Sequence, residues 1–207
     1  MSSLLRPAAS LLLFFTVLTG AAYPALVTAV SQVVFPSQAN GSLLPAKTGG
    51  GFAGSKLIGQ AFADPSYFWS RPSATAPYAY NAGASTGSNL GPTNPALADA
   101  VKGRVEALRQ ADPGNTAPVP VDLVTTSGSG LDPEISPAAA YYQVGRVARV
   151  RGVPQAQIRA LLDSHVEGRT FGILGEPRVN VLQLNLDLDQ LAQLGAKGSG
   201  GDVAAHQ

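Results

Sequence analysis

Between Arg6 and Lys47 the chain carries no charged residue. The most apolar part runs from Ala8 to Phe35. As a helix rising about 1.5 Å per residue it spans about 40 Å, enough to cross a hydrocarbon core of about 30 Å with tilt. Gly20 and Pro24 interrupt the run, and Ser31 and Gln32 add polarity near its far end. Membrane helices tolerate such residues where neighbouring groups or local backbone adjustment satisfy the freed hydrogen bonds. The rival reading is a cleaved leader, with Arg6 as its positive end and Gly20-Ala21-Ala22 or Val27-Thr28-Ala29 as the cleavage site. A leader needs an apolar core of only about 7–15 residues, and here the run continues well past either site. The expectation is an uncleaved single-pass helix over residues 7–35 behind a short cap, residues 1–6. Arg6 opposes Lys47 and Lys56 across the span, so charge bias is weak. Because Arg6 abuts the helix, the N-terminus is expected inside and the rest of the chain outside.

Composition removes several function classes. There are 14 Lys+Arg against 13 Asp+Glu among 207 residues, without the basic excess of a nucleic-acid binder. No cysteine is present, which excludes disulfides, thiolate-bound zinc, iron–sulfur clusters and thiol catalysis. Two histidines, His165 and His206, are too few for a His-rich metal site. No metal site is expected.

Residues 36–55 are rich in Gly, Ser, Asn and Pro and read as a connector. Residues 56–194 are expected to form one α+β domain, with a disordered tail over 195–207. Within the domain, Lys56–Phe62 reads as a strand. Asp64–Asn94 reads as a long polar loop whose Tyr67, Phe68, Trp69, Tyr78 and Tyr80 argue against disorder. Asn94-Pro95 and Ser136-Pro137 each place a capping side chain before a proline, the start of a helix. The first helix carries Leu97, Val101, Val105 and Leu108 at helical spacing and stops at Asp112-Pro113-Gly114. The second ends at Gly152. A third opens at Pro154, presents Ile158, Leu161, Leu162 and His165 on one face, and closes at Gly168. Val121–Thr126 reads as a strand. So does Val181–Leu188, where leucines alternate with Gln183, Asn185 and Asp187.

Few residues offer chemistry. Gly83-Ala84-Ser85-Thr86-Gly87 matches a nucleophile elbow, but that motif needs a strand before it and a helix after it. Neither is expected here, and a membrane-anchored serine hydrolase using Ser85 stays only as the alternative, beside a free-standing anchored binding domain. The run Gly49–Lys56 lacks the adjacent Gly-Lys of a phosphate loop and reads as linker. His165 reads as a satisfied core residue, and Arg146, Arg149 and Arg151 as a solvated helix face. Two loops, Ser88–Asn94 and Thr126–Pro133, are dense in glycines and short oxygen-bearing side chains. Such residues build rigid turns, and they can also form a docking surface or offer oxygens to a hard cation.

Those loops and their flanks carry a family resemblance. YNAGASTGSNLGPTNPAL at residues 80–97 and PVDLVTTSGSGLDPEISPAAA at residues 120–140 resemble the two signatures of the C subunit of the Kdp-type potassium-transporting ATPase, the KdpC family. LTGAAYPALVTAVSQVVFPSQANGSL, GSKLIGQAF with FWSRPS, and LGEPRVNVLQLNL resemble further stretches of it, in the same order over about residues 6–190. The resemblance implies a single-pass subunit of the bacterial inner membrane with an extracytoplasmic α+β domain. It implies a non-catalytic role: stabilising assembly, and raising the ATP affinity of a separate ATP-hydrolysing subunit. The partners it implies are a potassium-channel-like subunit, a P-type ATPase subunit and the lipid bilayer. Potassium and ATP would be handled by the complex, with no cofactor held here. Consistent with this, the D-K-T-G-T phosphorylation motif of such pumps is absent, and one helix cannot enclose an ion path. Asn81, Asn89, Ser129 and Asp132, in the signature loops, are the residues expected near partner subunits or the ion.

Overall fold

A computed structural model describes residues 2–47 and 49–199, with side chains for residues 4–47 and 49–191. The chain divides into two compact units, residues 1–43 and residues 44–207.

The first unit is helical. It comprises α1 (Ser2–Val17), a π-helical turn (Leu18–Ala22), α2 (Tyr23–Val34) and the short α3 (Pro36–Ala39). The span Leu4–Val34 is long and apolar enough to cross a membrane. The π turn explains how Gly20 and Pro24 are accommodated. Proline lacks an N–H and its ring crowds the carbonyl four residues back. Here the backbone widens just before it, with the Tyr23 N–H reaching Leu18 O, and Thr19 Oγ1 donating to Phe15 O at 2.6 Å. Phe35 leaves the helix because the residue before a proline is pushed out of the α region.

The second unit opens with a hairpin of β1 (Leu43–Pro45) and β2 (Phe52–Ser55). Gly49, Gly50 and Gly51 form its turn with φ of 82°, 75° and 84°, values an L side chain resists. The glycine run read as linker is therefore a strand turn. The expected strand at Lys56–Phe62 is absent: Leu57 N donates to Ser55 Oγ and Gly59 N to Leu131 O, turn and loop bonds that leave no ladder.

Helices α4 (Pro95–Ala111), α5 (Pro137–Arg151) and α6 (Gln155–His165) follow, with β3 (Glu134–Ile135) before α5. Asn94 caps α4 through Ala96 N, and Ser136 caps α5 through Ala139 N, as the sequence pattern predicts. Next come β4 (Val166–Glu167), β5 (Arg178–Asn180) and α7 (Val181–Ser199). The sheet order is β3-β5-β4, antiparallel throughout, with Ile135 and Val166 both paired to Val179. Its core joins Val179 to Ala140, Val144 and Val147 of α5, Ile158 and Leu162 of α6, Leu184 and Leu188 of α7, and Phe68. The fold is α+β with small strands.

Two expected strands are helical. Val121–Leu123 is a 3-10 turn, in which Val124 N and Thr125 N both donate to Val121 O. Val181–Leu188 is the start of α7. The buried positions are Val181, Leu182, Leu184, Asn185 and Leu188, a helical set, while Leu186 is only half-buried. Asn180 Oδ1 caps the helix by accepting from Gln183 N at 3.1 Å. Leucines, unbranched at Cβ, favour helix once such a cap exists. α7 runs through Ser199; residues 200–207 of the expected tail lie outside the described residues.

Candidate functional site

The loop from Asp64 to Phe68 has no regular structure of its own, so its backbone must find partners elsewhere. The basic row of α5 and the polar face of α7 supply them. Arg146 is 2% exposed. It donates to the carbonyls of Pro65 and Tyr67 and to Gln143 Oε1, and lies over the Trp69 ring at 4.4 Å. Gln143 in turn accepts from Trp69 N at 2.7 Å. Arg151 donates to Ser66 O at 2.7 Å and to Asp189 at 2.8 Å, over the Tyr67 ring. Asn185 bonds both the N–H and the carbonyl of Phe68, each at 2.9 Å. This corrects the reading of a solvated face for Arg146 and Arg151, which are turned onto the loop, whereas Arg149 stays exposed and pairs with Asp112 at 2.5 Å. Burial pushes Arg146 down to about 10, which leaves it charged at neutral pH.

Past this rack the chain enters the two glycine- and serine-rich loops, which are knitted together. Ser73 Oγ donates to Gly130 O at 2.7 Å and accepts from Tyr80 N at 3.0 Å. Thr75 Oγ1 donates to Tyr78 O and accepts from Asn81 N. Ser85 Oγ, just upstream of the first loop, donates to Ser129 O at 3.0 Å in the second, linking the two signature stretches. Gly130 sits at φ +68°, where a Cβ would lie 2.6 Å from Thr86 O. No other residue fits that crossing. Tyr80 donates to Arg71 O at 2.5 Å, and burial pushes its phenol up to about 12.

Three of the four sequence candidates belong to this network. Asn81 donates to Ala76 O and accepts from Gly83 N. Ser129 Oγ accepts from Leu131 N. Asp132 pairs with Arg71 at 3.0 Å and accepts from Glu134 N at 3.0 Å. Asn89 stands apart: it is exposed with φ +52°, and among the described residues no hydrogen bond ties it to the others. Most of the short oxygens hold their own turns: Asn81 accepts from Gly83 N, Asn94 from Ala96 N and Ser127 from Gly130 N, while Ser85 and Ser73 make the crossing bonds. Among the described residues no three acidic or histidine side chains are grouped to hold a metal ion. Sequence reasoning missed Ser73 and Arg71, whose partners Gly130, Asp132 and Thr126 are 55–61 residues away and leave no local pattern, and Thr75, whose partners Ser73, Tyr78 and Asn81 are near but form no recognisable motif.

Neither serine constellation has hydrolase geometry. Ser85 follows a 3-10 turn, Ala82–Ala84, and precedes extended chain, so it is not on a strand-to-helix elbow. Ser164, His165 and Asp187 do line up: Ser164 Oγ is 3.2 Å from His165 Nδ1, and Asp187 is 2.9 Å from Nε2. But Nδ1 also lies 2.9 Å from Leu161 O, which can only accept, so that nitrogen is a donor and not a base for Ser164. Ser164 itself donates to Leu161 O at 2.7 Å. His165 is thus a satisfied structural residue, as its place on an apolar helix face implies.

The chain thus combines a helix long and apolar enough to cross a membrane with an α+β unit whose loops are tied together by side-chain hydrogen bonds. Residues 5–190 match the KdpC family, described as the K+-transporting ATPase, c chain. The chain is 65% identical over 186 residues to the potassium-transporting ATPase KdpC subunit of Methylococcus capsulatus, covering 90% of this chain and 97% of that one. It is 63% identical to the subunit of that name from Variovorax paradoxus (93% and 98% covered). It is 60% identical to that from Herpetosiphon aurantiacus (94% and 100%). The chain belongs to the KdpC family.

Proposed function

We propose that this chain is the non-catalytic accessory subunit of an ATP-driven, high-affinity potassium-uptake complex. The observation that carries this is the family match along nearly the whole chain, through both interlocked loops. Leu4–Val34 anchors the subunit in the bacterial inner membrane, with the N-terminus cytoplasmic and the domain extracytoplasmic. There it meets a potassium-channel-like subunit and a P-type ATPase subunit, and it stabilises their assembly. It also acts as a catalytic chaperone that raises the ATP affinity of the hydrolysing subunit. With domain and nucleotide on opposite sides, that effect would travel through membrane helices as a coupling free energy. Asn81, Asn89, Ser129 and Asp132 are the proposed contacts for partners or for the arriving ion. The rigidity of the network around three of them supports this, because a preorganised surface loses less entropy on docking.

The test is growth at limiting potassium in cells lacking this chain and any second uptake system. Loss of growth and of potassium-stimulated ATP hydrolysis, both restored by the intact chain, is the expected result. Unimpaired growth would end the proposal.

A further inference from the structure

The most exposed large apolar side chain among the described residues is not in the membrane helix. It is Phe171, 89% exposed, on a turn that also bears Ile173 (73%) and Leu174 (57%). Three such side chains within four residues lose favourable burial unless something covers them. Their turn is ordered. Thr170 N and Leu174 N exchange bonds with Leu174 O and Thr170 O, each at 2.9 Å. Below them Arg169 grips both oxygens of Glu176, at 2.9 and 2.8 Å. Phe171 is held at φ +55°, a conformation costly for a bulky residue. The turn is therefore a preformed knob.

Its C-terminal end runs into a recess of about 510 Å³. Asp122, Asp132, Glu134 and Glu176 line it with Arg71 and Arg178. With Arg169 answering Glu176 from outside, one negative charge, at Asp122, is left without a cation among the described residues. Burial pushes the Glu134 carboxyl up although Arg178 bonds it at 2.9 Å. Val121, 70% exposed, stands among the lining residues.

We infer that the Phe171–Leu174 knob and the acidic recess beside it form one docking surface for another subunit of the same complex, which offers an apolar pocket flanked by a lysine or arginine. This rests on the accessory-subunit reading. Charge selects the occupant. A bilayer bearing anionic headgroups would meet an acidic recess unfavourably, and the knob has neither tryptophan nor tyrosine to sit at a headgroup interface. A second copy of this chain would bring acid against acid.

The test uses the full chain, expressed with the rest of the complex in cells lacking the native copy. In Phe171→Ser/Ile173→Ser, membrane levels of the chain stay normal, while co-extraction of the larger subunits in mild detergent falls about tenfold or more. Glu134→Gln keeps the bond to Arg178 and removes the charge; co-extraction falls about threefold, and the loss disappears at high salt. Unchanged co-extraction in the double variant overturns the inference. A Phe171→Trp reporter identifies the occupant, with native Trp69 as the subtractable background. Its emission shifts blue only when the other subunits are present. A blue shift in lipid discs holding this chain alone, or a wild-type dimer that the double variant dissolves, overturns it in favour of membrane or self-association. If deleting the whole chain leaves uptake intact, the accessory-subunit reading fails; if deletion abolishes uptake and the double variant does not, only this inference fails.

Discussion

The loop at Asp64–Phe68 and the turn at Thr170–Leu174 invert the usual arrangement in opposite ways. The first brings a full positive charge inside, where Arg146 is 2% exposed. The second leaves a phenylalanine 89% exposed. In the first, two carbonyls, a side-chain amide oxygen and an aromatic face surround the guanidinium. In the second, the backbone is satisfied and the side chains are not. A satisfied buried cation is a device of folding. An unsatisfied apolar knob on an ordered turn contributes nothing within the chain and gains only when a partner covers it. The contrast separates residues that hold the scaffold from residues that remain available.

The largest effect that would test this contrast is at Arg146. Arg146→Ala leaves two carbonyls and the Gln143 amide oxygen facing an empty volume and removes the stack on Trp69. Each buried acceptor left without its donor in this way costs about 1–3 kcal/mol. Thermal unfolding of the full chain in detergent, followed by near-ultraviolet circular dichroism, should show a much lower midpoint and loss of the Trp69 signal. Arg146→Lys restores the charge but not the planar fork, and should recover only part of the loss. A midpoint within a degree of wild type for Arg146→Ala would mean the loop does not depend on the rack.

What the sequence disclosed follows from how far each signal reaches. The caps at Asn94 and Ser136 and the stripes after them are local, and α4, α5 and α6 stand where those patterns place them. The alternating leucines of residues 181–188 mislead because four of them satisfy a period of two while the helical face includes Asn185. A polar residue at a core position reads as an outward one until its partner, the Phe68 backbone 117 residues away, is known. Arg146 misleads for the same reason. The strands are two to four residues long, too short to print a pattern. For the site, the loops were legible by resemblance, but the Ser85–Ser129 and Ser73–Gly130 links that make them one surface were not. The knob at Phe171 went unread, because an isolated apolar triplet in sequence is as consistent with a core.

A smaller effect is expected at Tyr80, which fastens the signature loops. Tyr80→Phe strands the Arg71 carbonyl and should cost about 1–3 kcal/mol. The effect depends on pH with a definite sign. Burial pushes the folded phenol up to about 12 from the ordinary tyrosine value of 10.0. Below 10 both states keep the proton and the contribution is complete. As pH rises from 10 toward 12 the unfolded chain ionises first, so stability is lost. The gap in midpoint between wild type and Tyr80→Phe should therefore narrow from about pH 9 to about pH 11. A gap that widens would show that the hydroxyl is not held as a buried donor.

The smallest stability effect belongs to the knob. Phe171→Ser removes a side chain with almost no contacts inside the chain, and the backbone bonds between Thr170 and Leu174 do not depend on it. Surface substitutions of this kind fall within about 0.5 kcal/mol. The melting midpoint of the purified chain should match wild type. Release of the strained φ at that position even admits a slight gain, since serine tolerates the left-handed region no worse than phenylalanine. A drop comparable to that of Tyr80→Phe would mean Phe171 is packed against this chain in solution, and the contrast between the two regions would fail at its exposed end. An unchanged midpoint together with weakened co-extraction separates the roles: Arg146 belongs to the folding of the chain, Phe171 to its assembly.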